Sequence, residues 1–113
     1  MYDHWRKVAD RIIKELWKHK DAWIFFEPVD PIKFNIPDYY NIILEPMDLG
    51  TLKSNLKQGL YEKPEQFHAD MLKIFSNCIL YNGQTAGVSL MCNQVKEEYE
   101  KLARKFQLSF HFE

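Results

Sequence analysis

The stretch that decides the fold is residues 36–52, which reads IPDYYNIILEPMDLGTL. It lies between two segments with helical periodicity, yet it is too apolar for a solvent-exposed linker and too rich in proline and tyrosine for a helix. A second stretch, residues 78–83, reads CILYNG and places Asn82 at the end of an apolar helical segment. A long packed loop that faces an asparagine at a helix end favours a small recognition pocket. The pattern therefore predicts a binding module and not a catalyst.

Four segments of the chain have helical periodicity, and we expect helices at about 2–19, 48–59, 64–82 and about 88–108. Asp48 can cap the second helix, Gly59 can end it in a left-handed conformation, and Pro64 suits a first turn because its missing N–H is not needed there. The inward-facing residues expected are Trp5, Val8, Ile12 and Leu16; Leu49, Leu52 and Leu56; Phe67, Met71, Ile74, Phe75 and Cys78; and Met91, Val95, Tyr99, Leu102 and Phe106. The prediction is an all-α four-helix bundle with a long first connection.

Length and charge restrict the class of protein. The chain has 113 residues, which suits one domain over 1–113, and 46% hydrophobic residues suffice for a core without cross-links. Basic and acidic side chains number 15 and 16, and a net charge of -1 argues against nucleic-acid binding as the main activity. No apolar run approaches a membrane span, and the N-terminus is not a signal peptide. Since the chain starts and stops almost at its helices, we expect a domain excised from a larger protein.

The residues that usually carry catalysis or bind metals are not arranged for either. Cys78 and Cys92 fall in helical segments, without metal-ligand spacing or a disulfide framework, and free thiols in a core suit a reducing compartment. The sequence has no histidine pair at i, i+4, no glycine-rich phosphate loop and no serine nucleophile elbow. We therefore expect no cofactor and no enzyme activity, and we interpret Cys78 as a buried structural thiol.

Five motifs follow one another along the chain. They are Trp23-Ile24-Phe25, Pro28-Val29-Asp30, Pro37-Asp38-Tyr39-Tyr40, Pro46-Met47-Asp48-Leu49 and Asn77-Cys78-Ile79-Leu80-Tyr81-Asn82. In this order and with this spacing, the chain resembles a bromodomain over nearly its whole length. The resemblance implies a left-handed four-helix bundle. It also implies that the protein binds acetylated lysine in a pocket between the first loop and the loop that joins the third and fourth helices.

The resemblance also implies a role for each pocket residue. Asn82 would hydrogen-bond the acetyl carbonyl, and Tyr39 would reach the same oxygen through a water molecule. The other lining residues would be the shelf Trp23, Ile24 and Phe25, the slot residues Val29, Phe34, Ile36 and Tyr81, and the entrance residue Val88. The implied partners are acetylated lysine peptides, histone H4 or H3 tails first, read in the nucleus by a monomeric domain without nucleic acid or membrane.

Departures from the family pattern leave other functions open. Ile24 stands where most members have proline, and Gly83 and Gly87 predict a soft second loop. A non-reading protein-assembly domain with a bromodomain-like fold is therefore the alternative, and an enzyme with Cys78 as nucleophile is a third hypothesis. Four loop carboxylates indicate either an acidic rim that favours basic peptides or scattered solvated charges: Glu27, Asp30, Asp38 and Glu45.

Overall fold

The computed structural model describes residues 4–108, and every regular element within them is helical. In chain order the helices are α1 (His4–Leu16), α2 (Tyr39–Ile42), α3 (Leu49–Lys57), α4 (Pro64–Asn82) and α5 (Gly87–Lys105). The four predicted helices correspond to α1, α3, α4 and α5, so the all-α class with a long first connection is confirmed. The predicted start of the first helix at residue 2 lies outside the described residues. None of the described helices is long and apolar enough to span a bilayer.

The caps of α3 and α4 follow the local sequence signals. The Asp48 carboxylate accepts a hydrogen bond from the Thr51 backbone N–H at 2.8 Å, as expected of an N-cap. Gly59 has a φ of 75°, and the Leu60 N–H turns back to the Asn55 carbonyl at 3.0 Å. Pro64 is the first residue of α4. These three expectations are confirmed.

Two helices were predicted to extend too far at their C-terminal ends. α1 stops at Leu16, because the chain tightens into bonds such as His19 N–H to the Leu16 carbonyl at 3.0 Å. α5 stops at Lys105, because Gln107 adopts a φ of 56° and the Leu108 N–H returns to the Ala103 carbonyl at 3.0 Å. This C-terminal motif usually carries glycine, and glutamine gave no signal for it.

The core lies around α4, which packs against α1, α3 and α5. The predicted stripes of α3 and α4 are buried in full, as are Val8, Ile12 and Leu16 of α1. On α5, Met91 was wrongly expected to point inward: it is half-exposed, and Cys92 is fully buried one position along. The buried face of α5 is formed by Ser89, Cys92, Val95, Tyr99, Leu102 and Ala103.

The long first loop, between α1 and α3, is packed onto the helices by aromatic side chains. A 3-10 turn spans Ala22–Phe25, and the Phe25 ring meets Phe75 of α4 edge-on with centroids 6.0 Å apart. Phe26 stacks on Trp17 at 4.1 Å, and its carbonyl accepts the Gly50 N–H at 3.1 Å. A Cβ on Gly50 would collide with that carbonyl, so the loop approaches α3 backbone to backbone.

Candidate binding site

A cavity of about 350 Å³ lies between the first loop, the C-terminal end of α4 and the start of α5. All ten residues that the sequence nominated line it: Trp23, Ile24, Phe25, Val29, Phe34, Ile36, Tyr39, Tyr81, Asn82 and Val88. Five further lining residues were not nominated: Glu27, Met47, Asp48, Ile74 and Cys78. Two of these carried a usable signal, because Cys78 and Ile74 precede Asn82 by one and two helical turns and share its face.

Asn82 is the last residue of α4, and its own helix fixes its side chain. The Asn82 Nδ2 donates to the Cys78 carbonyl at 3.0 Å. A primary amide carries two N–H donors, and the second meets only the Cys78 Sγ at 3.8 Å, a weak acceptor that a ligand in the cavity can replace. The chain leaves the helix directly afterwards, since Gly83 has φ 81° and ψ 177°. Asn82 therefore presents a donor at the cavity mouth from a position set by the end of a helix.

Tyr39 lines the cavity and supplies a second donor there, a phenol hydroxyl. Only 7% of the residue is exposed, and its ring lies 5.2 Å from that of Tyr40 and 5.0 Å from that of Tyr81. Burial raises the pKa of Tyr39 to about 12, so the phenol is a neutral donor at physiological pH. Within residues 4–108 the Tyr39 hydroxyl has no protein partner. Every fully buried side-chain oxygen in that range has a partner, so the Tyr39 hydroxyl is not fully buried. The Tyr39 hydroxyl therefore faces the cavity.

The hydroxyls of Tyr40 and Tyr81, whose rings contact Tyr39, hold the first loop in place. Tyr40 donates to the Val29 carbonyl at 2.5 Å, which ties the turn of α2 to the earlier part of the loop. Tyr81 donates to the Asp38 carboxylate at 2.6 Å, and this bond raises the pKa of Tyr81. Asn77 donates to the Glu45 carbonyl at 2.9 Å. The first loop is thus fastened to α4 at two points, Asp38 and Glu45.

The shelf keeps its apolar character without the usual proline. Phe25 is 8% exposed and belongs to the core, while Ile24 is half-buried and packs against it. Trp23 is 61% exposed and stands at the rim. The Phe26 N–H bonds back to the Trp23 carbonyl at 3.3 Å, so a 3-10 turn shapes the backbone at Ile24. The cavity is open with isoleucine at this position.

The loop between α4 and α5 has its own fastening. The Gly83 N–H donates to the Ile79 carbonyl at 2.8 Å, which closes α4. The hydroxyl of Ser89, a fully buried residue, donates to the Gly83 carbonyl from the first turn of α5. Val88 lies half-buried at the cavity between these two points.

Three of the four loop carboxylates make bonds within the protein. Asp30 accepts the Ile32 and Lys33 N–H groups at 3.1 Å each. Asp38 accepts the Tyr81 hydroxyl, and Glu45 pairs with Lys73 at 3.0 Å. Glu27 is exposed and has no such partner among residues 4–108. It lines both the cavity and an adjoining groove of about 600 Å³, so it is the carboxylate best placed to meet a bound peptide.

Cys78 is a buried thiol, as predicted, but it also belongs to the cavity wall. It is only 7% exposed, yet it lines the cavity, and its Sγ lies 3.8 Å from the Asn82 Nδ2. His68, the histidine nearest to it on α4, pairs instead with the Tyr99 hydroxyl at 2.7 Å. In the part of the chain that the structure describes, no group of three histidine, cysteine or acidic residues could hold a metal ion.

Comparison with protein families agrees with this geometry. The bromodomain family model matches residues 9–94, which is most of the chain. The chain therefore belongs to the bromodomain family. A solved structure, described as the bromodomain from human BAZ1A, superimposes with a TM-score of 0.84 at 28% identity and covers 89% of this chain and 92% of that one.

Curated relatives match the chain over one segment of their length. Transcription factor GTE10 of Arabidopsis thaliana is 43% identical over 94 residues, covering 83% of this chain and 9% of that protein. Bromodomain-containing factor 1 of Saccharomyces cerevisiae is 43% identical over 98 residues, covering 87% and 14%. The chain thus spans a small fraction of each of these two relatives.

Proposed function

We propose that this chain is an acetyl-lysine recognition module that binds acetylated histone tails, or other acetylated proteins, in the cavity beside Asn82. The observation that carries the proposal is the pairing of two donors in one apolar cavity. One amide hydrogen of Asn82 meets only the weak acceptor Cys78 Sγ, and the Tyr39 hydroxyl has no protein partner within the described residues. Bromodomains are generally acetyl-lysine readers, which agrees with this pairing.

The ligand and the cavity match in polarity. Acetyl-lysine has a long apolar stem and one neutral amide. The walls formed by Ile24, Phe25 and Val88 suit the stem, because binding removes the apolar surface of both stem and walls from water. The acetyl carbonyl can accept from Asn82, and a water bound to Tyr39 can satisfy its second lone pair.

Unmodified lysine should be rejected on physical grounds. Its ammonium group would lose water in an apolar cavity and would meet donors at Asn82 and Tyr39 instead of acceptors. A buried polar group without a partner costs about 1–3 kcal/mol, and a charge costs more. Acetylation therefore acts as a charge-removing switch that the cavity reads through desolvation.

The expected affinity for one acetyl mark is low. The acetyl-lysine side chain has roughly eight heavy atoms, and about 0.5–0.8 kcal/mol for each gives about 4–6 kcal/mol. This corresponds to dissociation constants from roughly millimolar to tens of micromolar, before flanking contacts are added. Useful targeting then needs several marks or neighbouring domains, since multivalency multiplies weak affinities.

The names of the relatives support a chromatin setting for the module. They include transcription factors and, in Schizosaccharomyces pombe, the SWR1 complex bromodomain subunit bdf1, which is 44% identical over 96 residues. From these names we infer a nuclear location, histone tails as the first partners to test, and a non-enzymatic role. A closed cavity together with no acetyl-peptide binding would favour the protein-assembly alternative, and here the cavity is open beside Ile24.

Calorimetric titration tests the proposal directly. The 113-residue chain would be titrated with acetylated and unmodified H4 and H3 tail peptides. The Asn82→Ala variant should bind acetylated peptide about tenfold or more weakly, as expected from losing a buried hydrogen bond of about 1.5 kcal/mol or more. The matched control is Asn93→Ala, an exposed asparagine on α5 outside the cavity, which should bind like the parent.

The opposite results are equally informative. If Asn82→Ala binds as tightly as the parent, the assigned cavity is wrong. If the folded parent binds no acetylated peptide, the reader function fails, and the protein-assembly alternative takes its place.

A further inference from the structure

The two cysteines of the chain meet between α4 and α5, beside the cavity. Both are free thiols. The Cys78 Sγ lies 3.9 Å from the Val88 carbonyl of α5, and the Cys92 Sγ lies 3.6 Å from the Phe75 carbonyl of α4. Each thiol therefore reaches the backbone of the opposite helix about one turn before the other cysteine. The two thiols therefore lie on facing sides of the same α4–α5 interface, near enough to influence each other.

The two thiols have different surroundings. Cys78 lines the cavity, so a small solute can reach it, whereas Cys92 is fully buried. The contact with Cys92, with a smaller effect of Asn82, lowers the pKa of Cys78. The same contact, together with burial, raises the pKa of Cys92. Since Cys78 can be reached from the cavity and Cys92 cannot be reached from solvent, Cys78 is the thiol that an oxidant attacks first.

We propose that Cys78 and Cys92 form an oxidation site for hydroperoxides, at which a disulfide between α4 and α5 reversibly weakens the acetyl-lysine cavity. The effect on binding rests on the proposed function, whereas disulfide formation does not. Lone buried cysteines offer no such chemistry. Here a second thiol faces the same helix interface as the first.

The chemistry balances with hydrogen peroxide as the oxidant. The Cys78 thiolate attacks one peroxide oxygen, the O–O bond breaks, and hydroxide leaves, giving a sulfenic acid. The Cys92 sulfur then attacks the Cys78 sulfur, the S–O bond breaks, and the hydroxyl leaves as water with the Cys92 proton. The net change is the loss of one hydrogen from each thiol and the reduction of one peroxide to two waters. A thiol reductant reverses the disulfide.

The disulfide would disturb the residues that hold Asn82. A disulfide holds its sulfur atoms about 2.05 Å apart, closer than two free thiols can lie, so bond formation would draw the Cys78 side chain toward Cys92 on α5. Its Sγ would leave the Asn82 Nδ2, now 3.8 Å away. Its carbonyl, which accepts the other bond from that amide at 3.0 Å, would shift with the last turn of α4. We expect acetyl-peptide affinity to fall by about fivefold, because the donor at the cavity mouth is displaced.

Mass spectrometry and calorimetry together test the site. The chain would be treated with hydrogen peroxide, and its mass should fall by two hydrogens without dimer formation. Under the same treatment Cys92→Ala should gain oxygen at Cys78 instead, because the resolving thiol is missing. Acetyl-peptide affinity should drop in the oxidised parent and return after dithiothreitol. A circular dichroism spectrum confirms that each sample is folded.

Each outcome has a clear meaning. If the parent gains oxygen without losing two hydrogens, or forms only dimers, the oxidation site is disproved. If the intramolecular disulfide forms and affinity is unchanged, the coupling to the cavity is disproved while the reader function stands. If the reduced parent binds no acetylated peptide, it is the proposed function that fails, and the mass change still decides the chemistry.

Discussion

The two ends of α4 differ in the partners of their polar side chains. At the N-terminal end, the Tyr61 hydroxyl donates to Asp70 at 2.6 Å, Asn55 donates to Tyr61 at 3.3 Å, and His68 pairs with Tyr99 at 2.7 Å. At the C-terminal end, Asn82 bonds only its own helix among the contacts of its side chain, and the cavity lies open beside it. Both ends use polar groups to hold the fold together, as Tyr81 and Asn77 do at the C-terminal end, but only the C-terminal end also presents donors to an open cavity among residues 4–108.

The contrast gives a criterion for separating structural from binding residues. Tyr61 and Tyr39 are both nearly buried, with 6% and 7% exposure. Burial raises the pKa of both, so ionisation does not distinguish them. What distinguishes them is the partner: the Tyr61 hydroxyl is used within the protein, and the Tyr39 hydroxyl is not, among residues 4–108. A buried donor without an internal partner is costly unless a ligand or water meets it.

Changing Gly83 should have the largest effect on stability at the cavity end. Its φ of 81° with ψ of 177° is a region that glycine alone occupies readily, so Gly83→Ala should cost about 1–3 kcal/mol of unfolding free energy. Acetyl-peptide affinity should fall too, because Asn82 is the preceding residue. Urea denaturation measures the first effect and calorimetry the second.

Gly87→Ala is the matched control for this loop. Gly87 has an ordinary φ and lies in the first turn of α5, and a Cβ added there would meet no atom within 4 Å. Alanine should therefore be neutral or slightly stabilising, by up to about 1 kcal/mol. Equal losses of stability in both variants would contradict the special role of Gly83.

Removing one tyrosine hydroxyl near each end of α4 should show that one hydroxyl contributes to stability and the other to peptide binding. Tyr61→Phe leaves Asp70 without its phenol donor and should cost about 1–2 kcal/mol, with acetyl-peptide affinity unchanged. Tyr39→Phe removes a hydroxyl that no protein group uses within the described residues, so stability should hold while affinity falls. Thermal unfolding and calorimetry on both variants measure the two effects. A reversed pattern would show that the ends of α4 are assigned the wrong way round.

Local sequence signals predicted the helices well where the deciding contacts are also local. Asp48 as a cap and Gly59 as a helix end depend on neighbours within a few residues, and both are confirmed. The turn of α2 and the early end of α5 were missed. The turn depends on the packing of Tyr39 against α4, and the helix end uses Gln107 where glycine is usual. Hydrophobic spacing carries no information about either.

The site shows the same division. The resemblance to the bromodomain family nominated ten residues, and the chain folds them around one cavity. Their roles toward acetyl-lysine remain a proposal. The meeting of Cys78 with Cys92 and the contact of Gly50 with the Phe26 carbonyl could not be predicted. Both join segments far apart in sequence, and the residues at these contacts have no distinctive spacing.

The smallest expected effect concerns Glu27, the loop carboxylate without an internal partner among residues 4–108. A lysine or arginine next to the acetyl-lysine of a bound peptide can approach this exposed charge across the adjoining groove. Exposed ion pairs contribute about 0.2–1 kcal/mol, so Glu27→Gln should weaken binding of such peptides by up to about fivefold at low salt. Peptides with alanine at the flanking positions should bind both proteins equally.

The matched control for Glu27 is Glu65→Gln, a change at an exposed carboxylate at the other end of α4. High salt should remove the difference, because screening weakens exposed pairs. An identical loss for basic and neutral peptides would mean that Glu27 shapes the cavity wall and does not select by charge.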